Sequence, residues 1–241
     1  MTGRKLLPGR ELLPHEIRDY LIDRRDSSEI YSVNFVKRLK ALNNFVKESN
    51  EILEGGIFYW DRDGEYLERP PSADLAPARR NLWRATRYKQ CMIEIGVNAG
   101  HSALLSLSAN QDLIYHGVDI NSHQYTLPCV EYLMSEFPGR VHFHPGDSRD
   151  VLPYLATHHA ELDFDIFHVD GGHTTEICHA DISNCLRLAK RGFGKHLLLD
   201  DINASWIFDI YSEFVSRGYL TTETFFGDWE DDNRNVFARI L

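Results

Sequence analysis

The stretch Met92-Ile93-Glu94-Ile95-Gly96-Val97-Asn98-Ala99-Gly100 decides the fold. A short apolar run of β type carries an acidic residue near its end, then breaks into a loop with glycines at 96 and 100. His101-Ser102-Ala103-Leu104-Leu105 then opens a helix. Where a strand turns tightly into a helix, glycines let the backbone approach a ligand, and the helix start offers unpaired N–H groups. Such a turn makes a small-molecule crevice at the carboxyl end of a parallel strand. Dinucleotide loops use Gly-x-Gly-x-x-Gly, but here Asn98 stands in the second glycine's place and His101 in the third's. A pyrophosphate would be poorly cradled.

Outward from this loop the chain alternates. Strand-like runs fall at 91–95, 114–119, 140–144, 164–169, 195–199, 219–225 and 235–240. Helix-like runs fall at 101–109, 124–137, about 149–157, 175–190 and 204–217. Alternation of this kind predicts an α/β fold, a doubly wound, mostly parallel seven-stranded sheet of Rossmann-like type with helices on both faces. The last two strands are joined through 227–233 without a helix, which predicts an antiparallel terminal hairpin. The run Asp228 to Asp232 then reads as a solvated turn. Residues 1–90 form a separate helical N-terminal extension. It carries helix-spaced apolar residues at 18–22 and 33–53, a proline-marked loop at 65–77 and a helix-like stretch at 78–87.

Composition narrows the function classes. The 241 residues are 43% hydrophobic and 26% charged, the make-up of a globular protein. A net charge of −10 argues against a nucleic-acid or anionic-membrane partner. No apolar run approaches the roughly 18 residues a membrane span needs, and the start lacks a signal-peptide apolar region. Cys91, Cys129, Cys178 and Cys185 form no Cys-x-x-Cys pair and read as buried free thiols of a cytoplasmic protein. The apolar positions of 33–53 suit a homo-oligomer contact.

The segment Glu94-Ile95-Gly96-x-x-x-Gly100-x-Ser102 resembles the first motif of class I S-adenosylmethionine (SAM) dependent methyltransferases. The strand pattern of 91–241 resembles their architecture as well. The resemblance implies that Glu94, Gly96, Asn98, Gly100 and Ser102 form the cofactor loop, with Glu94 ordering it or reaching the methionine amine through water. Asp119 closes the second strand nineteen residues after Gly100, where a carboxylate can bond two ribose hydroxyls. Asp147 and Ser148 would flank the adenine, although Gly-Asp-Ser before a helix also serves as a turn and cap.

The most discriminating stretch is Phe167-His168-Val169-Asp170-Gly171-Gly172-His173, at the end of the fourth strand. The fifth ends in Asp200-Asp201. Adjacent strand ends thus present Asp170, Asp200 and Asp201 to one crevice, and converging carboxylates call for protons or a cation. A hard divalent ion with oxygen ligands, such as Mg²⁺, answers that need. The pattern Asp170-x-x-His173 resembles the metal-dependent O-methyltransferases, most closely those that act on macrolide sugars. That resemblance implies Asp170, Asp200 and Asp201 as metal ligands, Asp170 also beside the cofactor, and His173 as general base on a sugar, polyol or phenol hydroxyl. The plainer alternatives are a tight turn at 170–173 and helix capping by Asp200 and Asp201. His168-x-Asp170 with a distant histidine is also a non-haem iron spacing, which usually sits on a β-barrel; a metal-independent methyltransferase, or a hydroxylase-like or non-catalytic protein on the same fold, is the alternative function.

Overall fold

The computed structural model describes residues 30–59, 66–189, 194–223 and 234–241. The expected helix at 18–22 and the acidic run 228–232 lie outside these. Seven strands form one sheet: β1 (Cys91–Ile95), β2 (Ile114–Asp119), β3 (Val141–Pro145), β4 (Ile166–Val169), β5 (His196–Leu199), β6 (Leu220–Thr222) and β7 (Val236–Ile240). Their order is β3-β2-β1-β4-β5-β7-β6. The first five are parallel, and β7 runs antiparallel to both β5 and β6. The seven strands, the doubly wound arrangement and the antiparallel terminal pair are therefore as the sequence implies. Strand order reverses on either side of β1, which is where an open α/β sheet leaves a crevice.

Helices cover both faces. On one lie α1 (Val33–Ser49), α2 (Ala76–Thr86), α3 (His101–Ala109) and α4 (Thr126–Glu136). They share a core with Met92, Tyr115, Ile166 and Leu198 of the sheet. On the other lie α5 (Ser148–His158), α6 (Thr175–Leu188) and α7 (Ser205–Ser216), packed on Ile93, Ile95, Phe167 and Leu197. Buried residues from 30 to 59 belong to the first of these cores, continuous with α3 and α4. Among the described residues no helix is long and apolar enough to cross a membrane.

Three boundaries differ from the periodicity reading. The first helix stops at Ser49 because Asn50 takes a left-handed conformation (φ 57°) and caps it, although Ile52 and Leu53 prolong the apolar pattern. Residues 66–68 and 73–75 form short 3₁₀ turns within the expected loop. The next helix begins at Ala76, with Pro77 inside its first turn. There proline has no intrahelical N–H bond to lose, so it starts a helix rather than breaking one.

The ends of β1 and β4 touch. Gly96 donates its N–H to Val118 O at 2.9 Å, and Asp170 donates its own to Ile95 O at 3.0 Å. A Cβ built on Gly96 would overlap the Asp170 carbonyl, and φ there is +90°. Gly96→Ala combines left-handed backbone strain with a backbone clash. It is expected to destabilise the fold by on the order of 3 kcal/mol in denaturant unfolding.

Candidate active site

The carboxyl ends of β1, β2, β4 and β5 frame a cleft of about 570 Å³, ample for a small ligand. Gly96, Asn98, Ser102, Asp119, Asp147, Ser148, Asp170, His173, Asp200 and Asp201 all line it. Asn98 adopts φ 52°, a left-handed conformation asparagine tolerates better than most side chains. Its backbone N–H donates to Asp119 Oδ2 at 2.8 Å, and the backbone N–H of Asn121 donates to Oδ1 at 2.7 Å. Asp119 thus pins the loop after β1 while facing the cleft. Gly100, outside the lining, sits at φ 72° as the N-cap of α3, where a Cβ would run into Leu133 at 2.7 Å.

Glu94 also lies off the cleft. It is fully buried, and its carboxylate accepts hydrogen bonds from the Tyr115 hydroxyl and from His168 Nδ1, the latter at 2.7 Å. Register explains the meeting: Glu94 stands between Gly117 of β2 and His168 of β4. Gly117 has no side chain, which leaves room for the Tyr115 ring to lie along the sheet and reach Glu94. A Cβ at 117 would sit 3.0 Å from the Tyr115 oxygen. Burial and the Glu94 charge together hold the Tyr115 phenol well above its ordinary range. Burial opposes charge on His168, but the bond to Glu94 outweighs it and raises the imidazole pKa.

Asp170, Asp200 and Asp201 converge as the sequence implied. Asp170 shares one cluster of donor atoms with His168 and Asp200 and a second with His173 and Asp201, each within 4.8 Å. Burial, then the neighbouring charges of Asp200 and Asp201, push the Asp170 carboxyl well above the usual range. Burial and the Asp201 charge lift Asp200 to about 6, partly offset by His168. Neither Asp200 nor Asp201 caps the following helix, whose N-cap is Ala204. Asp201 instead holds a left-handed φ of 58° and pairs with His173 Nε2 at 2.6 Å. That bond is the main cause of the raised His173 pKa. Thr174 caps the helix after His173, so the turn at 170–173 has no capping duty of its own.

Asp147 caps α5, accepting from Arg149 N at 2.9 Å. The hydrogen bonds from Arg149 bring its pKa to about 2. Sequence reasoning missed several lining residues: Glu54, Gly55, Gly56 and Ile57 before the sheet, Ile120 and His123 after β2, and Arg234 before β7. Ile120 is 66% exposed, an apolar side chain bared in the cleft directly after Asp119. His123 bonds Glu51 at 2.8 Å and Glu54 at 2.6 Å. Tyr125 accepts from Glu54 N at 3.2 Å, and Asn98 donates to Glu54 O. These contacts fasten Glu51 and Glu54 to the segment after β2 and to the loop after β1, and residues 54–57 line the cleft.

This seven-stranded order, with its site after β1, is the Rossmann-like fold of class I methyltransferases. Residues 93–202 match a family model described as a methyltransferase domain. The O-methyltransferase TomG from Streptomyces achromogenes, involved in tomaymycin synthesis and solved with SAM, is similar in structure. Its TM-score is 0.63 at 15% identity, over 95% of this chain and 99% of that one. PaMTH1, an SAH-bound methyltransferase from Podospora anserina, gives 0.62 at 13% identity over 98% and 100%. An O-methyltransferase from Bacillus cereus in complex with SAH gives 0.60 at 12% over 88% and 93%. At such identities the likeness is one of fold. No curated protein matches the sequence.

Behind the site, Asp181 of α6 is buried against Gly171, and neither of its carboxylate oxygens has a hydrogen-bond partner. Burial lifts its pKa from 3.8 to about 6. The folded state then disfavours the charged form, so stability falls as pH rises from 3.8 through about 6. The shift corresponds to about 3 kcal/mol. Asp181→Asn is expected to raise the melting temperature at pH 8 and to leave it nearly unchanged at pH 4, as calorimetry at both pH values would show.

Proposed function

We propose that this protein is a SAM-dependent O-methyltransferase acting on a hydroxyl of a small molecule such as a sugar, polyol or phenol, with help from a divalent cation. The observation that carries the reading is the meeting of Asp170, Asp200, Asp201 and His173 at the ends of β4 and β5. TomG, solved with SAM, and the SAH-bound neighbours support the cofactor.

The residues present fit these groups. Asp119 offers its carboxylate to a ribose, Ile120 offers apolar surface to a purine, and Asp147 and Ser148 stand further along the same cleft. Gly96, Asn98, Gly100 and Ser102 shape the loop, and Asp170 stands at the junction of the cofactor and metal regions. Glu94 acts on the site from within the sheet, through His168. Three close carboxylates, two of them lifted in pKa, are a donor set that a divalent cation such as Mg²⁺ would settle. When bound, SAM supplies an electrophilic methyl group and the cation supplies positive charge beside an acceptor oxygen.

The chain's own residues would do the rest. His173 points Nε2 at Asp201, which leaves Nδ1 as the nitrogen able to take a hydroxyl proton. Asp201 strengthens that base by stabilising the imidazolium. Residues 54–57 line the cleft and would limit water there, and the strand ends would fix the reacting groups in line. The His173–Asp201 pair also supports a second reading, base catalysis with no metal, in which activity survives EDTA.

Asp201→Asn is expected to lower turnover on the order of 10³-fold while SAM affinity, measured by calorimetric titration, changes little. Wild-type turnover in that variant would sink both the metal role and the His173–Asp201 base. Absence of SAM binding to the unmodified protein would sink the methyltransferase reading.

A further inference from the structure

The reading above gives the cation to oxygen donors, but an imidazole stands among them. His168, Asp170 and Asp200 each offer a ligand atom within 4.8 Å of the others. His168 is only 3% exposed, yet it lines the cleft. Its Nδ1 is committed to Glu94 Oε1 at 2.7 Å, and among the described residues Nε2 has no hydrogen bond. Glu94 in turn accepts from Tyr115 and is fully buried, so the carboxylate cannot turn away. A carboxylate that holds Nδ1–H fixes the tautomer of an imidazole and leaves the Nε2 lone pair forward, the arrangement that orients metal-bound histidines. Packing alone gives no reason to bury a polar ring with an unused nitrogen beside two carboxylates.

Resting on the cation reading above, we propose that His168 is a nitrogen ligand of the ion, with Glu94 as its positioning residue, so that the site takes a first-row transition ion such as Co²⁺, Fe²⁺ or Zn²⁺ in preference to Mg²⁺. Mg²⁺ demands oxygen ligands, whereas imidazole favours the later divalent metals and carboxylates accept either. The cluster is not the two-histidine, one-carboxylate iron triad. Among the described residues each group holds one histidine and two aspartates, and His168 and His173 fall in different groups.

The test uses the full chain, stripped with EDTA and titrated separately with Co²⁺ and with Mg²⁺. Equilibrium dialysis gives affinities, and proton NMR of the Co²⁺ form reports any ligand imidazole through its hyperfine-shifted, exchangeable N–H. Expected are tighter Co²⁺ than Mg²⁺ binding and an N–H signal that persists in His173→Ala and disappears in His168→Ala. Glu94→Gln should weaken Co²⁺ about 10–100-fold and Mg²⁺ far less. Co²⁺ bound without an imidazole signal, or with one lost only in His173→Ala, overturns the His168 assignment and leaves the cation reading standing. No binding of either ion, or binding unchanged in Asp170→Asn, overturns the cation reading and this inference with it. The His173→Ala spectrum and the Glu94→Gln titration decide the matter even if His168→Ala fails to fold.

Discussion

Everything at the cleft depends on how closely the ends of β1 and β4 approach. Asp170 and Gly96 sit against each other because residue 96 has no side chain and the backbone there is left-handed. The paired bonds Gly96 N to Val118 O and Asp170 N to Ile95 O then stitch β1 to its neighbours past the last ladder residues. Asp200 repeats the device one strand further, donating to Val169 O at 3.0 Å. The result is a row of strand ends held by backbone rather than by side chains. Acidic residues at those ends are thus placed by the sheet itself, and their mutual repulsion cannot be relieved by moving apart.

That rigidity matters because charge goes unusually deep. An ionised carboxylate inside a sheet costs several kcal/mol unless it is hydrogen-bonded and paired. Glu94 meets both conditions through Tyr115 and His168, and Gly117 makes the geometry possible by leaving space. Removing one partner would leave the others buried and unsatisfied, so the trio behaves as a unit. Asp181 lacks such partners, and burial pushes its carboxyl up to about 6.

Much of the fold was legible in the sequence because its signals are local. Short apolar runs and the glycine loop mark the strands and the turn after β1, and the helix-free connection marks the terminal antiparallel pair. Helix ends were less legible: Ile52 and Leu53 continue an apolar pattern after Asn50 has already turned the chain, and Pro77 reads as a breaker although it opens α2. The lining residues Asp119, Asp170, Asp200 and Asp201 were legible because each closes or follows a strand. The destination of the Glu94 side chain was not. Its partners lie 21 and 74 residues away, and only the register across β1, β2 and β4 brings them together. The clamp of His123 on Glu51 and Glu54 spans about 70 residues and carries no motif at all.

The acidity of the cleft sharpens the case for a counter-charge. On the proposed reading the reacting centre begins as a sulfonium cation and loses that charge when the methyl group leaves. Bare carboxylates nearby would favour the charged start over the transition state, and so slow the transfer. Protons on Asp170 and Asp200 would remove part of that penalty, and their raised pKa values lean that way. A divalent ion would remove it and at the same time draw an acceptor oxygen to the strand ends. His123 is the comparable case at the rim. There an imidazole lies between Glu51 and Glu54, and its pKa is raised despite partial burial. At the rim the chain meets its excess of carboxylates with a protonatable side chain of its own, whereas at the floor the fixed strand ends leave that task to a proton or an ion.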